Sequence, residues 1–217
     1  MGGPQAGERE HEAALVAALR RRDENAFADL VRRLSPSLRR LARLYLRDAA
    51  TVDDVVQETW LGVLRGLEGF EGRASVRTWV YRILVNRART RAGRDGRTVP
   101  FSQIGGDEDA PAEPAVPTER FRGPDDPYPG HWANPPRSWG ESPEERLLAA
   151  ETQQLIRDTI ARLPAAQRTV ITLRDLDGFS AAEVCNILEI SDTNQRVLLH
   201  RARSRVRREL ERHLDQG

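Results

Sequence analysis

Nine prolines lie between residues 111 and 143, and this stretch limits the fold more than any other feature of the chain. Proline fixes φ and lacks a backbone N–H, so no helix longer than two or three turns can pass through it. The stretch is also acidic, because eight acidic residues face three arginines from Thr98 to Ser142. We therefore predict a linker over roughly 96–142, with a separate helical domain on either side.

Charge is segregated along the chain, although the formal net charge is only +1. All 34 basic residues are arginine. Eight of them lie between Arg73 and Arg97 against Asp95 alone, and seven lie between Asp192 and Leu214 against three acidic residues. Two basic segments therefore flank an acidic middle.

Several classes of protein are excluded by simple counts. No apolar run approaches the roughly 18 residues of a membrane span, and Met1–Glu12 lacks the apolar core of a secretory signal. Cys185 is the one cysteine, so an internal disulfide is impossible, and the four histidines are scattered. We expect an intracellular chain with no structural zinc.

Before the linker, apolar residues recur at a spacing near 3.6, which predicts four helices and no strand. Pro36 is expected to break or kink the second helix. Thr51–Asp54 resembles a capping box for the third helix, and Ser75 would cap a fourth helix reaching about Arg94. The residues expected on the inner side of the third helix are Val52, Val55, Val56, Thr59, Trp60 and Val63.

After the linker the pattern is helical again, over Glu144–Arg162 and in a helix beginning near Pro164. Gly178 follows as a turn residue able to adopt positive φ. A capping box, Ser180–Glu183, opens a short helix, and Ser191 caps the final one. Two helices joined by about three residues, the second one basic, are typical of a helix-turn-helix. The prediction is an all-α fold of two small domains, 12–95 and 143–213.

The final helix has an apolar side and a cationic side. Its first turn, Asp192–Arg196, holds side chains of the types that pair with base edges in the major groove. Arginines further along would contact phosphates. The pattern predicts DNA binding, and its simpler alternative is a solvated charged face. The cationic stripe runs through Thr193, Arg196, His200, Arg203 and Arg207.

The helix from Ser75 mixes aromatic residues with arginines. Trp79 and Tyr81 stand among the basic residues, a combination that suits single-stranded nucleic acid because bases stack on rings. The loop 70–74 before the helix could hold a base pulled from the duplex. The alternative is that the two rings complete the core.

One face of the third helix is acidic. Asp53, Asp54, Gln57 and Glu58 lie together there, which favours a basic protein partner rather than DNA. Stabilisation of the helix dipole would explain the two aspartates but not Gln57 or Glu58.

Two groups of motifs resemble one family. Asp53–Leu61 and Arg77–Asn86 look like region 2 of the extracytoplasmic-function (ECF) sigma factors of bacterial RNA polymerase. Leu163–Arg168, Gly178–Glu183 and the segment 190–203 look like region 4 of the same family. The resemblance covers both predicted domains in the expected order.

The resemblance implies roles for these residues. It implies binding to core polymerase, whose β′ clamp helices and β flap are the expected partners. The residues implied for core binding are Asp53, Asp54, Gln57, Glu58 and Leu61, of which Asp54, Gln57 and Glu58 match the positions that dock on the β′ clamp helices. It implies melting and reading of the −10 element by Phe70, Arg73, Ser75, Arg77, Trp79, Tyr81, Arg82, Asn86, Arg89 and Arg91. It implies reading of the −35 element by Ser180, Ser191, Thr193, Asn194, Gln195, Arg196, His200, Arg201 and Arg203.

The resemblance further implies a cytoplasmic bacterial protein that directs promoter-specific initiation and is held inactive by an anti-sigma factor. It implies no catalytic residue, metal, cofactor or small-molecule substrate. Glu189 departs from the family pattern, because glycine is frequent at that turn. The linker departs too, since it carries aromatic residues that we expect to dock on a protein surface: Phe121, Tyr128, Trp132 and Trp139.

Two other classes of protein compete with this interpretation. A stand-alone helix-turn-helix regulator would not need the acidic face or the aromatic helix. An enzyme would need a nucleophile with its base, a phosphate loop or a set of metal ligands, and no such grouping is evident. Cys185 is expected to be a small buried packing residue rather than a reactive thiol.

Overall fold

The computed structural model describes residues 4–94 and 143–214. Every regular element in these two ranges is helical, which confirms the predicted all-α class. The predicted linker and its four aromatic residues lie outside the described ranges, so the domain borders stay predictions. None of the described helices is both long enough and apolar enough to cross a membrane.

The first group of helices comprises α1 (Pro4–Arg20), α2 (Glu24–Ala42), α3 (Ala49–Gly66) and α4 (Val76–Arg94). Of the break or kink expected at Pro36, the break is wrong, because α2 continues through this residue. Pro36 itself is exposed, whereas Leu34 and Leu38 on either side are buried. Packing of that apolar side offsets the hydrogen bond that proline removes.

Helix α3 begins earlier than the sequence pattern suggested. Asp48 is its cap, since its carboxylate accepts hydrogen bonds from the amide and the hydroxyl of Thr51, both at 2.7 Å. These hydrogen bonds lower the pKa of Asp48. The predicted capping box at Thr51 is therefore wrong, although all six residues predicted on the inner side of α3 are buried.

The second group comprises α5 (Pro143–Arg162), α6 (Ala165–Ile171), a π-helical turn (Thr172–Leu176), α7 (Ala181–Leu188) and α8 (Asp192–Leu214). Gly178 has φ +72°, as the turn prediction requires. Ser180 and Glu183 form the predicted capping box. Ser191 accepts a hydrogen bond from the Asn194 amide at 3.2 Å, which confirms it as the cap of α8.

Each group buries its own apolar side chains. Leu38, Leu41 and Val80 are among those buried in the first group, and Val170, Leu173 and Ala202 in the second. Helices α4 and α7 pack against each other across the two groups. This contact positions the helix-turn-helix directly over the arginine-rich α4.

Candidate nucleic-acid and protein interfaces

The acidic face of α3 is exposed because the opposite side of the helix is fully used by the core. All five residues predicted for this face are exposed. Asp53 accepts a hydrogen bond from Arg39 at 2.7 Å, and Glu58 pairs with Arg87 at 3.2 Å. The face is thus partly neutralised by arginines at its edges, while Asp54 and Gln57 stay open.

Sequence reasoning missed an apolar extension of this face. Leu61 and Leu64 are both half exposed, at 50%. Two adjacent exposed leucines are unusual on a helix whose other side is buried, and they suit a protein contact. The three-residue spacing from Leu61 was the signal that could have identified Leu64.

The loop before α4 is held in place rather than left open. Phe70 is buried, and its ring packs on Trp79 with ring centroids 4.8 Å apart. Arg20 donates a hydrogen bond to the Phe70 carbonyl at 2.6 Å. The resemblance implies that Phe70 takes part in reading the −10 element, but in this structure its ring is buried because it completes the packing around Trp79.

Tyr81 is also buried, contrary to its predicted place among exposed arginines. Its ring meets Phe179 edge to face at 4.7 Å, and its hydroxyl donates to Ser37 at 2.6 Å. Burial raises the pKa of this phenol. Of the two alternatives left open for the rings, burial applies fully to Tyr81 and in part to Trp79.

The outer side of α4 bears a basic cleft. Asn86 and Arg91 line a cleft of about 440 Å³ beside α3. Glu58 of α3 and Ile83 also line this cleft. Sequence reasoning missed three polar residues of its α4 wall, although their spacing along α4 could have identified them. They are Arg87, Thr90 and Arg94.

The inner side of α4 carries the other predicted arginines. Arg77, Arg82 and Arg89 all reach oxygen atoms of the helix-turn-helix half. Arg73 lies apart from them in the preceding loop, where it pairs with Glu71. Ser75 accepts a hydrogen bond from the Thr78 amide at 3.1 Å, so its role as the cap of α4 is confirmed.

The first turn of α8 presents only part of its predicted set. Thr193 and Arg196 are exposed, and Asn194 is half buried. Gln195, which the resemblance implies reads the −35 element, is only 1% exposed, so its side chain does not face solvent in this structure. The 3.6-residue period turns position 195 inward beside Leu198 and Leu199, which are also buried.

Several basic side chains of α8 already have partners. Arg196 pairs with Asp192 at 2.8 Å. Arg203 makes two hydrogen bonds to Asp175, at 2.9 and 2.6 Å, and these raise its pKa. His200 and Arg201 are half buried on the same helix.

The remaining features bear on other kinds of chemistry. Ser180 is exposed and serves as the cap of α7. Cys185 is half exposed rather than fully buried, and burial raises the pKa of its thiol. Within 4–94 and 143–214 there is no group of three His, Cys, Asp or Glu residues that could hold a metal ion.

Comparison with known proteins identifies the architecture. The Sigma-70 region 2 family model matches residues 30–98, and the Sigma-70 region 4 model matches residues 153–206. The RNA polymerase sigma-H factor of Pseudomonas aeruginosa is 30% identical over 202 residues, which cover 93% of this chain and 95% of that protein. The ECF RNA polymerase sigma-E factor of Escherichia coli is 30% identical over 200 residues, covering 90% and 92%.

Two solved structures share the fold. One is described as CnrH in complex with the cytosolic domain of CnrY, with TM-score 0.55, 22% identity and coverage of 92% of this chain and 97% of that chain. The other is described as the sigma factor RpoE with the anti-sigma factor NepR from Bartonella quintana, with TM-score 0.53, 20% identity and coverage of 85% and 96%.

The order and geometry of these helices, with both family models matched in sequence, define a sigma-70 family protein. Within that family, the chain belongs to the ECF sigma factors, as its full-length similarity to ECF relatives requires.

Proposed function

We propose that this chain acts as an initiation factor whose three surfaces meet core RNA polymerase, the −10 strand and the −35 duplex. The chain would divide into a region 2 domain over 12–95 and a region 4 domain over 143–213. The observation that carries this proposal is the pairing of an exposed acidic and apolar face on α3 with exposed basic residues on α4 and α8.

The polymerase contact is assigned to the face of α3. Asp54, Gln57 and Leu61 form its open centre, and Leu64 extends it. Carboxylates around an apolar centre suit a basic partner helix, because charge pairing at the rim gives specificity while apolar burial gives affinity. The β′ clamp helices are the proposed partner.

The −35 duplex contact is assigned to the start of α8. Thr193, Asn194 and Arg196 are the side chains at this tip with access to solvent. On binding DNA, Arg196 would give up its ion pair with Asp192 and donate two hydrogen bonds to the edge of a guanine base. Gln195 would support this turn from within rather than contact a base.

The −10 strand contact is assigned to α4 and the loop before it. Asn86 and Arg91 in the basic cleft are available for a base and its phosphates. Arg77, Tyr81, Arg82 and Arg89 would join them only after the helix-turn-helix half moves away. Such a factor works beside polymerase in the bacterial cytoplasm, and an anti-sigma protein is its expected inhibitor, as in the complex of RpoE with NepR.

Run-off transcription with purified core polymerase on a pool of genomic promoter fragments tests this proposal. Discrete start sites that require the protein would support it, and their alignment would give both promoter elements. Folded protein that never supports initiation with competent core would contradict it.

Two variants separate the surfaces in the same assay. Gln57→Ala with Glu58→Ala should weaken core binding and leave binding to −35 duplex unchanged. Arg196→Ala should leave core binding unchanged and lower duplex affinity about tenfold, with lost base preference. Arg205→Ala is the matched control, because Arg205 is an exposed arginine of the same helix that lines a separate cleft with Arg162, more than two turns beyond the first turn.

A further inference from the structure

The inner side of α4 is already occupied by oxygen atoms of the helix-turn-helix half. Arg82 donates to Glu189 from Nε at 3.1 Å and from Nη2 at 2.6 Å. Arg89 donates to the Leu188 carbonyl at 3.1 Å, and Arg77 donates to the Asp177 carbonyl. Three arginines of one helix thus meet carbonyl and carboxylate oxygens of the segment 177–189, as they would meet phosphates.

Contacts other than the hydrogen bonds of these three arginines hold the same surfaces together. Thr78 donates to the Glu183 carboxylate at 2.9 Å, and Arg40 of α2 pairs with Asp177. The Arg77 guanidinium lies 3.9 Å from the centre of the Phe179 ring, which is itself packed on Tyr81. Phe179 is 1% exposed, so the contact has an apolar centre with ionic contacts around it.

Glu189 links this contact to an unfavourable backbone conformation. It ends α7 with φ +57° and ψ +47°, in the left-handed region where glycine is the unstrained residue. A glutamate there carries a steric cost that a glycine avoids. Its side chain has a use that a glycine lacks, because it supplies the carboxylate that binds Arg82.

We propose that the free chain holds itself closed, with segment 177–189 occupying the arginines of α4 where a single-stranded nucleic-acid backbone would bind. The two states compete, because the N–H groups that contact this segment are unavailable to a phosphate and the segment lies where the strand would pass. Glu189 acts as a latch whose strained backbone is retained for its pair with Arg82. Only the identity of the displaced ligand rests on the proposed function.

The closed state is tested by an interdomain distance in the full chain, without DNA or polymerase. Cys185→Ala removes the native thiol, and spin labels are attached at Arg33→Cys on α2 and Gln153→Cys on α5, both exposed positions. Pulsed electron paramagnetic resonance then gives the distance distribution. We expect one narrow distance in this background.

Glu189→Gly is the decisive variant, because it relieves the backbone of the turn while removing the latch. It should keep the helical content and broaden the distance distribution. Arg82→Ala should broaden it equally from the other partner, and Arg82→Glu with Glu189→Arg should restore the narrow distance. Glu68→Gly is the matched control, since it removes an exposed carboxylate whose nearest pairing, to Arg22, is at 4.0 Å.

A broad distribution in the unmodified background would overturn the closed state. A narrow distribution in Glu189→Gly would overturn the role of the latch. Failure of the charge exchange to restore the narrow distance, with both single variants broad, would also count against a direct pair.

Competition is tested with a labelled thymidine oligomer of about 12 nucleotides, a length that suits a single-strand site. Glu189→Gly should bind it about tenfold more tightly than the unmodified chain, because apparent affinity falls with the fraction of binding-competent molecules. Glu68→Gly should show no gain. Equal affinities would overturn the competition. Binding by neither protein would do so too, and run-off initiation then decides separately whether the proposed function fails.

Discussion

Asp177 is the carboxylate placed deepest at the junction of α2, α4 and the helix-turn-helix half. Its side chain is only 2% exposed and pairs with Arg40. Oδ2 of the same carboxylate has no hydrogen-bond partner among the described residues. Burial raises the pKa of Asp177, and the charges of Arg40 and Arg77 lower it by less. The folded chain therefore binds a proton at this site more tightly than the unfolded chain.

This direction fixes the sign of a pH dependence. The contribution of Asp177 to stability is fully present below its ordinary pKa and is lost as pH rises through the higher pKa of the folded chain. Asp177→Asn removes the titration. The difference in free energy of unfolding between the wild type and Asp177→Asn, measured by urea denaturation at several pH values, should fall across that interval.

A difference that stays constant with pH would contradict the raised pKa. Glu183 supplies an internal comparison of opposite sign. Burial raises its pKa, but hydrogen bonds from Ser180 and Thr78 and the charge of Arg77 together lower it. The stability that Glu183 contributes should therefore be lost as pH falls.

Two glycines of α3 make a matched pair at the residue scale. A Cβ at Gly62 would meet the flexible end of Arg87 at 2.8 Å, whereas a Cβ at Gly66 would meet the Trp79 ring at 3.0 Å. Arg87 can turn away, but the Trp79 ring is packed on Phe70.

Gly62→Ala should therefore stabilise the fold by about 0.5–1 kcal/mol through helix propensity. Gly66→Ala should destabilise it by about 1–3 kcal/mol, because the ring must shift. Thermal denaturation of both variants checks this pair. Equal effects of the two substitutions would show that the Trp79 ring is loosely held.

At the scale of elements, α7 is short and depends on its cap. Ser180 accepts from the Glu183 amide at 3.3 Å, and Glu183 accepts from the Ser180 amide at 2.9 Å. An eight-residue helix has little stability of its own, so these two hydrogen bonds matter.

Ser180→Ala should lower the free energy of unfolding by about 1 kcal/mol, because the first-turn amide loses its acceptor. Ser180→Thr keeps the hydroxyl and should retain most of the stability that Ser180→Ala loses. Urea denaturation of the three proteins measures it. Equal urea midpoints for Ser180→Ala and Ser180→Thr would mean that the hydroxyl contributes nothing to stability.

The π-helical turn determines where α7 points. It widens the end of α6, and the Phe179 amide then donates to the Leu173 carbonyl at 3.0 Å across Gly178. This reversal carries Phe179 onto Tyr81. Hydrophobic periodicity gives no sign of such a turn, because a five-residue segment is too short for its period to be distinguished from that of an α-helix.

At the scale of the whole molecule, the closed contact combines exposed ion pairs with a buried apolar centre. Arg82 and Glu189 have side chains 45% and 47% exposed, so salt screens their attraction. The packing of Phe179 on Tyr81 is not screened. Raising the salt concentration should therefore broaden the interdomain distance distribution of the unmodified chain without opening the contact completely.

The same spin-labelled pair measures this effect. Arg82→Ala lacks the exposed pair and should show a much smaller response to salt. Complete opening of the unmodified chain in salt would show that the contact is ionic throughout. It would contradict a stabilising role for the buried Phe179 ring.

The sequence by itself determined the all-α class, the approximate positions of the helices and the family motifs. Local signals suffice for these features: the inner residues of α3, the capping box at Ser180 and the turn at Gly178 all depend on near neighbours. Burial of whole helix faces follows from periodicity, which is a property of the chain alone.

Only the tertiary structure decided which side chains of those faces are available. Tyr81 and Gln195 are residue types that often contact nucleic acid. Phe179 nevertheless covers Tyr81, and the core of the helix-turn-helix covers Gln195. From the sequence, Glu189 is an unexplained departure from the glycine expected at this turn, whereas the structure shows that its carboxylate pairs with Arg82. In each case the deciding partner comes from a different element, and the position of that element depends on the packing of the whole chain rather than on local sequence.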